Sequence, residues 1–359
     1  MLRNIAPMSI CRCANVLPGR RRSGGQGWAC WASLLGSFVV FGCGGVGSER
    51  SAAALEPTPA GYPQGTITLL APANPGGGWD QTARQLQQVW AAEGILGVPV
   101  EVVNRGGAGG TIGLADMVTR YRDDARTLMV FGQVMLGAIR TNRSPVLIED
   151  TIPLARLLSE YEVVAVPADS RFRTLPELME EFRRDPESVS WAGGSAGGID
   201  HILVGLLAQA AGVDPRRANY IAHSGGGQAA VAVMGGHVTA GVSGLGEWKA
   251  HVAAGRLRLL AVSSPERVGN GATPTIRETG LDVAIANWRG IVAPPGTDAA
   301  TRDWLINALV RMRASSAWQD ILRENDWEDS FLSGSAFDRF LREETATVDV
   351  ILRSIGLVR

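Results

Sequence analysis

"APANPGGGWDQTARQLQQV", residues 71–89, leads from a strand-like run through three consecutive glycines into a helix-like run. Apolar side chains recur at helical spacing from Trp79 to Trp90. The first amides of a helix have no partner within the helix and carry about half a positive charge. Glycine has no Cβ, so an anion can approach those amides closely. The stretch therefore predicts a helix start that can hold an anion without a lysine or an arginine.

The order of strand, glycines and helix start recurs along the chain. After the glycines at 76–78 it is found again at 106–110, 193–198 and 225–227. One such loop is weak support for a ligand site, because glycine also occurs in ordinary turns. Four such loops at the carboxyl ends of strands are stronger support, since open α/β sheets bind ligands at that edge.

Length and the order of the elements predict the fold class. The chain has 359 residues, which exceeds the usual size of a single core, so we expect two domains. Predicted strands alternate with predicted helices, which indicates an α/β protein with largely parallel sheets. Two domains whose glycine loops face each other would grip an acid that has carboxylates at both ends.

Charge and cysteine content exclude several classes of function. The first 42 residues hold five arginines and no acid, which leaves 29 basic and 35 acidic residues, a net charge of −6, in the rest. A net negative charge argues against nucleic acid as a partner, because binding to its phosphates needs a basic surface. All four cysteines lie in the first 43 residues, and Cys11 and Cys13 form a lone C-x-C with no partner histidine. We therefore expect no metal and no cofactor.

The first 43 residues read as an export signal. A basic cluster, Arg20 to Arg22, precedes an apolar run at about 28–41, which is short for a membrane span. Cys43 resembles the cysteine of a bacterial lipoprotein box, although Phe41 is bulky for it. Lipid attachment at Cys43, plain cleavage nearby and a retained anchor stay open. Residues 44–64 read as a flexible tether, and the mature protein is expected in the periplasm.

Phosphate-binding and hydrolytic motifs are the alternatives to an anion site at the glycine loops. The loop at 76–78 lacks the lysine of a P-loop, and the glycines of 106–110 do not have the dinucleotide-binding spacing. Residues 193–197, GGSAG, match the G-x-S-x-G of a serine hydrolase with Ser195 as nucleophile. His201 lies in the first turn of the same predicted helix, from where it would have difficulty reaching Ser195. The alternative role for Ser195 is hydrogen-bond donor to a bound carboxylate.

Several of these residues also have a plain structural interpretation. Asp80 is expected first as a cap of its own helix, and His201 as a donor or structural residue at a helix start. Trp79 fits core packing as well as the wall of a ligand site. Arg105 and Arg289 fit ion pairs as well as ligand contacts.

The glycine loops and their flanks resemble one receptor family. "APANPGGGWDQTAR", "VEVVNRGGAGGTIGLA", "SWAGGSAGGIDHILVGLLAQAAGVDP", "YIAHSGGGQAAVAVMGGHVTAGVSGLGEW", "GRLRLLAVSSPERV" and "NWRGIVAPPGT" occur here in the order found in extracytoplasmic solute receptors of the tripartite tricarboxylate transporter family, also called Bug receptors. The resemblance runs from about residue 65 to 359. "GGGWDQTAR" and "GVSGLGEW" are most similar to the tricarboxylate-type receptors.

The resemblance implies a fold, a function and a division of the chain. It implies a two-lobed α/β periplasmic-binding-protein fold of type II, whose chain crosses between the lobes near 165–168 and 286–290. Domain one would comprise 65–166 plus 288–359, and domain two 167–287. The protein would be a monomeric receptor, not an enzyme, that closes on a di- or tricarboxylate, with citrate-like acids first, and delivers it to a membrane permease. A binding protein used for sensing is the other reading.

The resemblance also implies which residues contact the ligand. The two loops of domain one would hold one carboxylate, largely through backbone N–H groups, and loops of domain two would face them. The implied contacts are Gly76, Gly77, Gly78, Trp79, Asp80, Gly107, Ala108, Gly109, Gly110, Gln133, Gly194, Ser195, Ala196, Asp200, His201, Ser224 and Gly225.

Overall fold

The computed structural model describes Pro59 and residues 61–359. The expected export signal, Cys43 and most of the expected tether lie outside these residues. Tyr62, near the end of the tether range, packs edge-on against Trp304 and donates a 2.8 Å hydrogen bond to the carbonyl of Ala125. None of the described helices combines the length and the hydropathy that are needed to cross a bilayer.

Strands and helices alternate along the described chain. The strands are β1 (Ile67–Ala71), β2 (Val100–Asn104), β3 (Thr127–Gly132), β4 (Ile152–Pro167), β5 (Ser190–Gly193), β6 (Asn219–Ala222), β7 (Ala240–Gly244), β8 (Leu257–Val262), β9 (Ala286–Ala293) and β10 (Leu332–Ser333). The α-helices are α1 (Gly78–Ala92), α2 (Thr111–Thr119), α3 (Gln133–Thr141), α4 (Leu175–Arg184), α5 (Ile199–Ala210), α6 (Gly226–Met234), α7 (Leu245–Ala253), α8 (Ala299–Ala314), α9 (Ser316–Glu324) and α10 (Gly334–Ser354).

One long strand joins two lobes. The strands follow the order β2-β1-β3-β9-β4-β7-β5-β6, with β8 and β10 also paired to β4. Up to Tyr161, β4 pairs with β9, and from Glu162 onward it pairs with β7 and β8. The chain returns to the first lobe where β9 begins, at Ala286. The protein is thus a two-lobed α/β fold with two crossings, as predicted, and the limits assigned to its domains stay a prediction.

The expectation of largely parallel sheets was wrong for the centre of the fold. β1 pairs in parallel with β2 and β3, and β5 pairs in parallel with β6 and β7. β4 and β9 are antiparallel to every strand that they contact. Both strands carry the chain between lobes, in opposite directions, so each lobe receives a strand that runs against its parallel set.

Each lobe has its own hydrophobic core. The first-lobe core packs α1, α8, α9 and α10 around β1, β3 and β9, and it includes Phe131 and Trp288 in edge-to-face contact at 5.3 Å. In the second lobe one cluster contains Trp191 and another contains Trp248. Trp248 is fully buried, and its Nε1 donates a 2.9 Å hydrogen bond to the carbonyl of Gly226. This bond ties the first turn of α6 to α7, and both helix starts face the space between the lobes.

Candidate ligand-binding cleft

A cleft of about 200 Å³ lies between the two lobes, where the strands end and the helices begin. Both lobes and both crossing strands contribute to its wall. The lining residues are Pro72, Ala73, Asn74, Gly77, Gly78, Trp79, Gly107, Ala108, Gly109, Gly110, Val134, Glu162, Gly194, Ser195, Gly198, Ile199, Asp200, His223, Ser224, Gly225, Gly226, Ser243, Gly244, Glu247, Asn287 and Arg289.

Four helices begin at the cleft without a side-chain cap. The residues preceding α1, α5, α6 and α7 are all glycines, and none of them makes a capping hydrogen bond through a side chain. The first amides of these helices therefore lack a partner within the helix. Their partial positive charges converge on the same space, which favours an anion.

A short turn before α2 adds amides from the first lobe. Residues 107–110 all have positive φ, at 126°, 49°, 61° and 89°. Ala108 is unusual there because a Cβ disfavours this region, and such strain is concentrated at functional sites. The Ala108 carbonyl accepts hydrogen bonds from Asn142 Nδ2 and Thr111 Oγ1, both at 2.9 Å. The Gly110 amide donates to the Gly107 carbonyl at 2.9 Å, so the amides before it are the ones that this turn can offer to an anion.

Gly78 leaves room for charged side chains of the opposite wall. A Cβ at Gly78 would lie 2.8 Å from Arg289 Cζ and 2.9 Å from Glu247 Oε1. Glu247 belongs to α7 of the second lobe, so the bare backbone of α1 lets the two lobes approach closely.

Asp80 is engaged away from the cleft. Its carboxylate accepts hydrogen bonds from the Gly76 amide at 2.8 Å and Asn104 Nδ2 at 2.9 Å, and it pairs with Arg84 at 3.0 Å. Burial opposes its ionisation, but the hydrogen bonds from Arg84, Gly76 and Asn104 lower the pKa of Asp80 overall. The expected cap was wrong in detail, since Asp80 bonds the preceding loop and not the amides of α1.

A buried ion pair forms the base of the cleft. Arg289 Nη2 pairs with Glu160 Oε1, and the side chains are only 2% and 1% exposed. Arg289 Nη1 donates to Thr82 Oγ1 at 2.9 Å, and Trp327 Nε1 donates to Glu160 Oε2 at 3.0 Å. Burial lowers the pKa of Arg289 to about 9. Of the two interpretations of Arg289, the ion pair is therefore confirmed, and the guanidinium also lines the cleft.

Three further acids surround this pair. Burial raises the pKa of Glu162 well above its usual value, and the neighbouring charge of Asp200 raises it further. Burial also raises the pKa of Asp200 to about 6, although a hydrogen bond from the Gly194 amide opposes the shift. For Glu247, burial and then the Asp200 charge raise the pKa to about 8. Burial therefore shifts the carboxyl groups of Glu162, Asp200 and Glu247 toward the protonated form.

Ser195 of the G-x-S-x-G motif and His201 of the following helix turn have separate partners. His201 Nδ1 accepts a 3.2 Å hydrogen bond from the Gly197 amide, and its ring stacks on Tyr220 at 4.1 Å. Burial lowers the pKa of His201 to about 4. No histidine within residues 61–359 forms a hydrogen bond with Ser195 Oγ. Ser195 Oγ instead faces Gly109 of the other lobe, 3.1 Å from where a Cβ of Gly109 would lie.

Most of the predicted contacts come together in this cleft. Both first-lobe loops line it, as do Gly194, Ser195 and Asp200 of the second lobe with Ser224 and Gly225. The lining leaves out five predicted residues, namely Gly76, Asp80, Gln133, Ala196 and His201. No ligand tests these assignments, so the role of every predicted contact stays a prediction.

Sequence reasoning missed the polar residues at the base. Glu162 and Asn287 lie on the crossing strands, and Ser243 and Glu247 lie where β7 meets α7. One signal was available, because Glu160 and Glu162 both fall in the strand-like run EYEVVAVP and a buried acid usually has a specific partner or function. His223 also lines the cleft, and its Nδ1 contacts the carbonyl of Ile221 at 2.9 Å. Among the residues described, no group of acids, histidines and cysteines is arranged to hold a metal ion.

Two lobes joined by two crossing strands, with helix starts facing one cleft, are the fold of the solute-binding proteins. Residues 82–357 match the family described as the tripartite tricarboxylate transporter family receptor, TctC. The chain belongs to this receptor family, which includes the Bug proteins, as its sequence resemblance indicated.

Individual relatives agree with this assignment. BugT of Bordetella pertussis is 30% identical over 243 residues, which cover 66% of this chain and 73% of BugT. An R. palustris protein solved with adipate is 22% identical with a TM-score of 0.75, over 82% of this chain and 98% of that one. MatC from Rhodopseudomonas palustris, solved with bound malate, is 23% identical with a TM-score of 0.70. The match covers 81% of this chain and 100% of MatC. At these identities the two structures show a shared fold.

Proposed function

We propose that the protein is a receptor that binds a small di- or tricarboxylate in the cleft and delivers it to a membrane permease of the tripartite tricarboxylate type. One observation carries the proposal: uncapped helix starts from both lobes face a single cavity of about 200 Å³. Pockets for drug-sized ligands are larger, at roughly 300–1,000 Å³. A short organic acid with charges at both ends matches this size and this distribution of amides, and citrate-like acids come first.

The first lobe would hold one carboxylate through backbone amides. The start of α1 after Gly77 and the turn at 107–110 supply N–H groups from two directions. Each hydrogen bond to a charged group contributes roughly 1.5–3 kcal/mol net. A few such bonds leave about −8 kcal/mol after the costs of association, which corresponds to micromolar affinity.

The second lobe would close over the other end of the acid. Ser195, the start of α5 and the loop at 224–226 face the amides of the first lobe across the cleft. β4 and β9 are the strands through which the lobes are connected, so a change of angle between the lobes would occur at these strands. A ligand that contacts both lobes binds the closed form more tightly and shifts the population toward it.

The bound relatives and the family support a carboxylate ligand and a transport role. Malate and adipate are the acids in the two R. palustris proteins of the same fold. A pull-down of the permease subunits with the acid-loaded receptor distinguishes delivery to a permease from use in sensing.

We further propose that the protein is exported to the periplasm. If a Cys43→Ser variant loses the incorporation of labelled palmitate that the parent shows, the lipid is attached at Cys43.

A thermal-shift screen of organic acids against the mature protein tests the binding proposal. An acid that binds the native state should raise the melting temperature, and the shift should increase with the ratio of free ligand to Kd. Failure of di- and tricarboxylates to raise it at millimolar concentration would remove the proposal.

Ser195→Ala should weaken binding of the best acid from this screen by about tenfold. Loss of one hydrogen bond to a charged group costs roughly 1.5 kcal/mol at the lower limit. Isothermal titration calorimetry measures the change, and Ser354→Ala, on the exposed end of α10, is the matched control with unchanged affinity. Turnover of acyl esters by the parent protein that disappears in Ser195→Ala would show a hydrolase instead.

A further inference from the structure

The base of the cleft holds more hydrogen-bond acceptors than donors. Three buried oxygen atoms accept no hydrogen bond from the described residues: Glu162 Oε2, Glu247 Oε2 and Asn287 Oδ1. All three residues line the cleft, and Glu162 and Asn287 are 0% and 7% exposed. Asn287 Nδ2 is already used by Glu160 at 3.1 Å and Glu162 at 3.0 Å. Buried acceptors need donors, which a proton on one of the acids, an ordered water or the ligand can supply.

The charges at the same place lead to a similar conclusion. The Arg289 guanidinium pairs directly with Glu160 and lies 4.0 Å from Glu247, whereas Glu162 interacts with Asp200 and Glu247. The Asp200 carboxylate accepts a hydrogen bond from the Gly194 amide, and it lies within hydrogen-bonding distance of Glu162. Two buried carboxyl groups in contact retain a proton between them. Glu162 and Asp200 therefore satisfy one another. Glu247 Oε2 is the buried carboxyl oxygen that still accepts no hydrogen bond from the described residues, although the Gly226 amide at the start of α6 acts on this carboxyl group and opposes the rise of its pKa.

Glu247 is also the acid best placed to meet a ligand. It lies in the first turn of α7, and its Oε1 would be 2.9 Å from a Cβ of Gly78 on the opposite wall. Its Oε1 is 4.0 Å from Arg289 Nη2, too far for a hydrogen bond, and its side chain is 12% exposed. A ligand held by the amides of α1 would have its far end near this carboxyl group.

We propose that Glu247 binds the second carboxylate of the ligand as a protonated acid, donating its O–H, so that the receptor takes up an organic acid together with a proton. The inference rests on the proposed carboxylate-binding function and adds how the second lobe accepts a negative charge beside its own acids. An ionised Glu247 would repel the ligand, whereas a neutral one adds an O–H donor beside the helix starts of the second lobe.

The groups around Glu247 set the pH range of the effect. Asp200 from α5, Glu162 from β4 and Arg289 from β9 act on it, and the Gly226 amide at the start of α6 favours its ionised form. His223, before α6, lines the same cleft. Burial and the Asp200 charge raise the pKa of free Glu247 to about 8. If the ligand binds the protonated form, this pKa rises further in the complex. The affinity is then highest well below pH 8, and it decreases as the pH rises through this value.

Calorimetric titration of the mature protein with a dicarboxylate from pH 6.5 to 8.5 tests the inference. A dicarboxylate is suitable because ordinary carboxyl groups titrate near pH 4, below this range. We expect Kd to rise about fourfold by pH 8.5, because about three-quarters of free Glu247 is then ionised. Titrations in buffers of different ionisation enthalpy should show uptake of about three-quarters of a proton at pH 8.5.

Glu247→Gln is the matched variant, since glutamine keeps an N–H donor and cannot titrate. It should bind the acid at pH 6.5 nearly as well as the parent, with no loss at pH 8.5. His237→Asn, at an exposed position outside the cleft lining, should retain the parent profile. A parent Kd that is constant with pH, or that falls with rising pH because the ligand brings a cation, would overturn the inference while leaving carboxylate binding intact. Failure of every acid to bind would overturn both proposals. If Glu247→Gln does not fold, the proton uptake measured with the parent protein tests the role of Glu247 on its own.

Discussion

Replacing Arg289 with methionine should lower the free energy of unfolding by about 3–5 kcal/mol, the usual cost of breaking one partner of a buried ion pair. Arg289 and Glu160 are almost completely buried at the base of the cleft. Without the guanidinium, Glu160 keeps only the neutral donors Asn287 Nδ2 and Trp327 Nε1. A buried carboxylate with no positive partner is far less stable than the pair that it replaces.

Urea unfolding of the mature protein measures this loss through the midpoint and slope of the transition. Adding Glu160→Gln to Arg289→Met should recover most of the stability, because no unpaired charge remains. Arg323→Met is the surface control, since Arg323 and Asp320 are 71% and 53% exposed and such pairs contribute about 1 kcal/mol at most. A loss for Arg289→Met no larger than that of Arg323→Met would mean that Glu160 is not held by this pair.

The glycine loops could be predicted from the sequence because their signal is local. Three glycines before Trp79 and the glycines of 106–110 indicate bare backbone at a helix start, and both loops line the cleft. Helix starts depend on neighbouring residues, so one segment contains most of the information. The direction of β4 and β9 depends on partners far along the chain, and a local pattern does not carry it.

The acids at the base could not be predicted because they meet only in the folded chain. Glu162 lies on β4, Asp200 on α5 and Glu247 on α7, and no spacing in the sequence brings them together. The site prediction also named Gln133, whereas its neighbour Val134 lines the cleft. Successive residues of a helix point about 100° apart, so a one-residue difference changes which side chain faces a ligand.

Gly109→Val should reduce carboxylate affinity by at least about 100-fold, because it fills the contact between the lobes and distorts the amide turn. Gly109 has φ of 61° and ψ of 29°, a region that disfavours a β-branched side chain. A Cβ there would collide with Ala138 and lie 3.1 Å from Ser195 Oγ on the opposite lobe. Losing two charge-assisted hydrogen bonds from a displaced turn costs roughly 3–6 kcal/mol, which gives this change in affinity.

The control for Gly109→Val is Gly212→Ala, and the two are compared by the thermal shift that the acid produces. Gly212, after α5, has φ of 75° and open space around its missing Cβ, so this variant has the backbone strain without touching the cleft. Without ligand, we expect both variants to melt at a lower temperature than the parent. The backbone strain alone should lower the free energy of unfolding by about 1–2 kcal/mol. The acid should stabilise Gly212→Ala as it does the parent and fail to stabilise Gly109→Val. Equal ligand shifts in the two variants would show that the turn at 107–110 does not hold the carboxylate.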